Sequence, residues 1–128
     1  MKRVINASEA PAAVGPYVHA VEVGEMIFTS GQIGLDSVSG ELKEGIEEQT
    51  HQVFRNLQAV LKAADSDFDH VVKTMVFLDD INDFATVNEI YAGYFKNEFP
   101  ARSCVEASKL PKGALIEIEV IAIKKKDE

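Results

Sequence analysis

The stretch "ALIEIEVIAIK", Ala114 to Lys124, decides the fold. Side chains along a strand alternate between the two faces of a sheet. One face of this strand carries Ile116, Ile118, Val120 and Ala122, an unbroken apolar row suited to lie under helices. The other carries Leu115, Glu117, Glu119, Ile121 and Ile123. That second face is too apolar over its C-terminal half to be left to water.

Two segments read as helices. From Ile46 to Ala64, apolar residues fall at Ile46, Val53, Leu57, Val60, Leu61 and Ala64, a helical spacing with charged and Gln positions on the other side. In "DDINDFATVNEIYAGYF", residues 79–95, Phe84, Val87, Tyr91 and Tyr94 keep helical register, and Asp80 or Asn82 suits the N-cap. "VHAVEV" (18–23) and "MIFTSGQI" (26–33) read as strands joined by a two-residue Gly24-Glu25 turn. "HVVKTMVFL" (70–78) is β-branched and aromatic, hence a strand. Residues 7–17 and 34–45 read as irregular, and "KLPKGA" (109–114) as a turn. The expected order is β-β-α-β-α-β-β in one α+β domain spanning 1–128, with both helices on one face of the sheet. No third helix is available for the other face. A second copy of the chain is therefore expected to cover it, subunits meeting sheet to sheet.

Of the 128 residues, 46% are hydrophobic and 27% charged, as in a globular protein with a real core. With 13 Lys and Arg against 21 Asp and Glu, the formal charge of −8 opposes nonspecific nucleic-acid binding. The single cysteine excludes an internal disulfide and suits a reducing cytoplasm. The start has no apolar signal segment, and no apolar run approaches the ~20 residues of a membrane span.

The chemistry concentrates in "FPARSCVEASKLP", residues 99–111. Read as a strand, it puts Arg102, Cys104 and Glu106 on one face. Arg102 and Glu117, in a mostly apolar seam, need a partner. Two readings follow. Arg102 and Glu117 form a structural ion pair, or they line an anion pocket where Arg102 grips a carboxylate and Glu117 handles a proton or a water. Cys104 alone reads as a small hydrophobe. His19, His51 and His70 are scattered and offer no metal spacing. Gly31 in "TSGQIG" lacks the glycine pattern of a dinucleotide loop and reads as a bulge or a place where a ligand approaches closely. Spacing alone singles out neither Tyr17 nor Ser30, and Asn88 is a poor helix former in mid-helix.

Together "APAAVGPY", "FTSGQI", "VVKTMVFLDDINDFATVNEIY" and "FPARSCVEASKLPKGALIEIE" resemble the RidA (YjgF) family of reactive imine/enamine deaminases. The resemblance runs from about Asn6 to Ile123. It implies a chorismate-mutase-like α+β subunit with a mixed sheet, and a homotrimer with a central barrel-like core and clefts between subunits. The implied reaction is hydrolysis of 2-imino acids, such as 2-iminobutanoate and 2-iminopropanoate, to 2-oxo acids and ammonia without a cofactor. Arg102 would hold the carboxylate, Cys104 would sit beside the imine, and Glu117 would activate water. Tyr17, Ser30, Gly31 and Asn88 would line the cleft, some donated by a neighbouring subunit. A 2-oxo-acid-binding regulator and an RNA-acting translation inhibitor are the alternatives. Val18-His19 and Gly34 depart from the family pattern, which bears on loop shape and substrate size.

Overall fold

A computed structural model describes residues 1–125. The strands are β1 (Lys2–Ile5), β2 (Ala20–Val23), β3 (Met26–Thr29), β4 (Gln32–Ile33), β5 (Val71–Leu78), β6 (Ala101–Glu106) and β7 (Ile116–Ile123). The helices are α1 (Gly45–Ala63) and α2 (Phe84–Ala92). They form one sheet in the order β1-β2-β3-β7-β5-β6, with β4 also pairing β7. Only β5 and β6 run parallel, because α2 carries the chain across between them. The sheet is therefore mixed.

The strand β7 behaves as its alternation demands. Ile116, Ile118, Val120 and Ala122 are buried under the helices, whereas Glu117, Ile121 and Ile123 are half-buried and Glu119 is exposed. Val53, Phe54, Leu57, Val60 and Leu61 of α1 meet that row without exposure to solvent. Acidic Glu47 and Glu48 in the first turn of α1 and Lys62 in its last complement the helix dipole. Phe54 stacks on Tyr94, with ring centroids 4.2 Å apart, and meets Tyr91, Phe68 and Phe95 edge-on. Gly24 takes φ +59°, which the tight turn between β2 and β3 requires. The Asp80 carboxylate accepts from the Asn82 amide and caps the short 3₁₀ turn, Ile81–Asp83, that leads into α2.

Three features depart from the expected layout. Lys2–Ile5 adds an edge strand on β2, absent from the β-β-α-β-α-β-β order. Four residues with two charges carry too little alternation to announce a strand; an edge strand tolerates them because one side faces water. The "MIFTSGQI" run breaks at Ser30–Gly31 into β3 and β4, which pair different parts of β7. Third, the polar residues of α1 are not all solvated: Gln49, Gln52 and Asn56 are buried, whereas Gln58 is exposed. They serve the irregular segment after β4, whose backbone groups have no ladder to join. Asn56 Nδ2 donates to the Ile33 and Leu35 carbonyls at 3.0 Å each. Gln49 Nε2 donates to the Lys43 carbonyl at 2.9 Å, and Gln49 Oε1 accepts from the Leu115 amide at 2.8 Å. Gly34 permits this approach, since a Cβ there would lie 2.8 Å from the Gln49 Cα.

Asn56→Ala should strand the buried Ile33 carbonyl and the half-buried Leu35 carbonyl and cost about 1–3 kcal/mol of stability. A lowered midpoint in chemical denaturation, with an unchanged slope, is the expected result.

Candidate active site

Residues opposite one another on paired strands point to the same face. Arg102 pairs with Thr74, and Thr74 with Val120, so Arg102 rises from the helix-covered face. Glu117 pairs with Phe77 and Ile33 on the opposite, uncovered face. Within one chain the sheet itself separates guanidinium from carboxylate. Within a single chain, therefore, Arg102 and Glu117 are not brought together, and no ion pair forms between them. The cause is topological: β5 lies between β6 and β7, and the register gives the two residues opposite parity. Among the described residues, Arg102 has no carboxylate within salt-bridge distance.

Two clusters result. The first is built by α2 and β6. Arg102 Nη1 donates to Asn88 Oδ1 at 2.7 Å. The Arg102 guanidinium also lies over the rings of Tyr91 and Phe84, and with Phe99 and Pro100 borders a cavity of about 390 Å³. Asn88 is thus no solvent-exposed accident of the helix. Cys104, on the same face as Arg102, is half-buried against the edge of the core. Burial pushes its thiol up, only partly opposed by the Arg102 charge, so it is protonated at neutral pH and no ready nucleophile.

The second cluster surrounds Glu117. Tyr17, Ser30, Gly31, Ile33, Leu35 and Glu117 line a cavity of about 440 Å³. Burial, then the neighbouring charge of Glu119, raises the Glu117 carboxyl above its ordinary value. Gly31 lies against this carboxylate: a Cβ at Gly31 would come 2.3 Å from Glu117 Oε2. In the structure the group that comes close to Gly31 is the chain's own Glu117 rather than the ligand expected there. The Ser30 hydroxyl donates to the Val18 carbonyl at 2.6 Å and its amide to the His19 carbonyl at 2.9 Å. The buried His19 ring accepts from the Ala7 amide through Nδ1 and reaches the Pro11 carbonyl through Nε2, fastening the segment that leads to Tyr17. Among the described residues, no group of three His, Cys, Asp or Glu side chains could hold a metal ion, and no helix is long and apolar enough to cross a membrane.

The residues so divided are Arg102, Cys104 and Asn88 on one face, and Tyr17, Ser30, Gly31 and Glu117 on the other. Sequence reading missed Phe84 and Tyr91 as neighbours of Arg102. The signal was present, since Phe84, Asn88 and Tyr91 at i, i+4 and i+7 share one helical face.

The profile of the family described as Endoribonuclease L-PSP matches residues 7–124. The chain belongs to this family, also called RidA or YjgF. It is 53% identical to human 2-iminobutanoate/2-iminopropanoate deaminase over 96% of this chain and 90% of that protein. It also matches the solved structure of YyfA, a protein of the Rid family from Yersinia pestis, at a TM-score of 0.94 and 50% identity, covering 96% of this chain and 99% of that one. Escherichia coli TdcF, solved with bound serine, matches at a TM-score of 0.92 and 40% identity over 96% and 99% of the two chains.

The raised Glu117 carboxyl sets a testable sign. The fold disfavours its charged form, so the stability cost is absent below the unfolded-state value and appears as pH rises through the folded one. Glu117→Gln should therefore match or exceed the wild-type thermal midpoint at pH 7, and any advantage should vanish below about pH 4. Thermal melts across pH check this.

Proposed function

We propose that this protein hydrolyses 2-imino acids to 2-oxo acids and ammonia, at sites completed between the subunits of a homotrimer. The observation that carries the reading is the separation of Arg102 and Glu117. Each stands at the mouth of a cavity without the other, and only a neighbouring copy can join the two halves. The Glu117 face supports this assembly. A row through Val4, Val21, Phe28 and Ile121 crosses the uncovered side, beside Met26 and Val23. Several of these side chains are exposed in the single chain. Three such sheets closing on one another make the barrel-like core that the family resemblance implies.

The chemistry follows from the substrate. A protonated imine carbon is already electrophilic, and the adjacent carboxylate is a fixed handle. Arg102 from one subunit grips that carboxylate with its N–H fork. Glu117 from the next takes a proton from water as its oxygen bonds to the imine carbon, forming a tetrahedral aminoalcohol. It then returns the proton to the nitrogen. As the C–N bond breaks and ammonia leaves, Glu117 takes the hydroxyl proton so that the carbonyl of the 2-oxo acid forms, and it hands that proton to the departing ammonia, which leaves as ammonium. A carboxyl raised toward the working pH suits this exchange. Tyr17, Ser30 and Gly31 line the half that holds Glu117; Asn88 lines the half that holds Arg102, and Cys104 lies two residues along the same strand face. The deaminase relative supports the substrate class, and serine bound to TdcF supports recognition of a small amino-acid skeleton. The charge of −8 disfavours the RNA reading carried by the family's name. The family match supports 1–128 as one domain, and the free Cys104 thiol fits a cytoplasmic setting.

Arg102→Ala and Glu117→Gln should each abolish ammonia release from freshly generated 2-iminobutanoate while the oligomer persists. Co-assembled in equal amounts, the two variants should regain about a quarter of the wild-type rate, since a cleft with both wild-type groups forms at one interface in four. No recovery would place the site within one chain. Gly31→Ala should fold normally, because the carboxylate end of Glu117 can swing aside. That misplacement should cost roughly 10²-fold in rate, measurable by the same assay.

A further inference from the structure

Arg102 is not a free arm. Its guanidinium carbon lies 4.8 Å from the centroid of the Tyr91 ring and 5.3 Å from that of Phe84. Nη1 donates to Asn88 Oδ1 at 2.7 Å, one of five N–H donors on the fork. The Tyr91 ring is itself fixed. It is buried, its centroid is 4.8 Å from that of Phe95, and its hydroxyl shares a 2.8 Å hydrogen bond with Thr74 Oγ1. Thr74 is fully buried and is the register partner of Arg102 on β5. The contacts close a ring: Arg102 on β6, Thr74 on β5, Tyr91 on α2, and back to Arg102.

We propose that Tyr91 is a positioning residue for the deaminase reaction, its ring together with that of Phe84 holding the Arg102 guanidinium ready before substrate arrives. The inference rests on the reading of Arg102 as the carboxylate anchor. An arginine in water loses rotamer freedom when it grips a ligand; one already resting on two aromatic faces loses less. The rings attract the cation through their π faces without consuming N–H donors, so the fork stays available to an anion. Asn88 fixes rotation in the plane by taking one donor. An acid in the place of these rings would hold the guanidinium as firmly but would compete with the substrate carboxylate for it.

The test measures binding of 2-oxobutanoate by calorimetry, alongside steady-state kinetics on 2-iminobutanoate. Tyr91→Leu and Phe84→Leu should each weaken 2-oxobutanoate binding and raise KM by about tenfold, with kcat changed less than threefold, the oligomer intact. Tyr91→Phe, which keeps the ring and loses the hydroxyl, should bind within about threefold of wild type. Loss of affinity in Tyr91→Phe equal to that in Tyr91→Leu overturns the assignment to the ring. A fall in kcat at unchanged KM in the leucine variants, the mark of a merely structural defect, also overturns it. Phe84 is partly exposed, so Phe84→Leu decides the matter should Tyr91→Leu fail to fold. Arg102→Ala runs in parallel. Its retained binding would sink the anchor reading itself, whereas lost binding in Arg102→Ala beside full binding in both leucine variants sinks only the positioning role.

Discussion

Strand β7 can turn only every second residue toward the helices. Its apolar row spends that half of its side chains on the core with α1, and the remaining half must face the other way. Glu117 belongs to that remaining half. The same parity, carried through β5 to β6, sends Arg102 to the helix side. A single constraint, the two-residue repeat of an extended chain, thus splits the chemistry across the sheet. It also leaves an apolar surface beside one half, so in the proposed trimer the burial of that surface and the completion of the site act in the same direction.

The two charged groups are prepared in opposite ways. Arg102 is stabilised as a cation by ring faces and an amide oxygen, none of which cancels its charge. Glu117 is left partly desolvated beside Glu119, so its proton is held more tightly than in water. Gly31 sets how closely the backbone approaches that carboxylate. One group is thus suited to bind an anion and the other to pass a proton.

The polar side chains of α1 show how irregular backbone is supported. After β4 the chain leaves the ladder, and its carbonyls and amides need partners. Gln49 and Asn56 supply them from within the helix, and Gly34 lets the two backbones approach. This anchors the Ile33–Leu35 wall of the Glu117 cavity.

Much of this was legible in the order of residues. The alternation of Ile116 to Ile123, the helical stripes of both helices and the Gly24 turn are local patterns, and local geometry carries them into the fold with little change. The family signature around Arg102, Cys104 and Glu117 was legible for the same reason. What the order of residues could not convey was relation between distant strands. Whether β6 lies beside β7 or one strand away depends on the crossover through α2, and that decides which face Arg102 shares. The burial of Gln49, Gln52 and Asn56 likewise depends on a loop folded against the helix from elsewhere in the chain. By itself the sequence determined the elements, their faces and the chemical groups available. Only the tertiary structure decided that Arg102 and Glu117 stand on opposite sides, because strand order and register arise from long-range pairing that no local window contains.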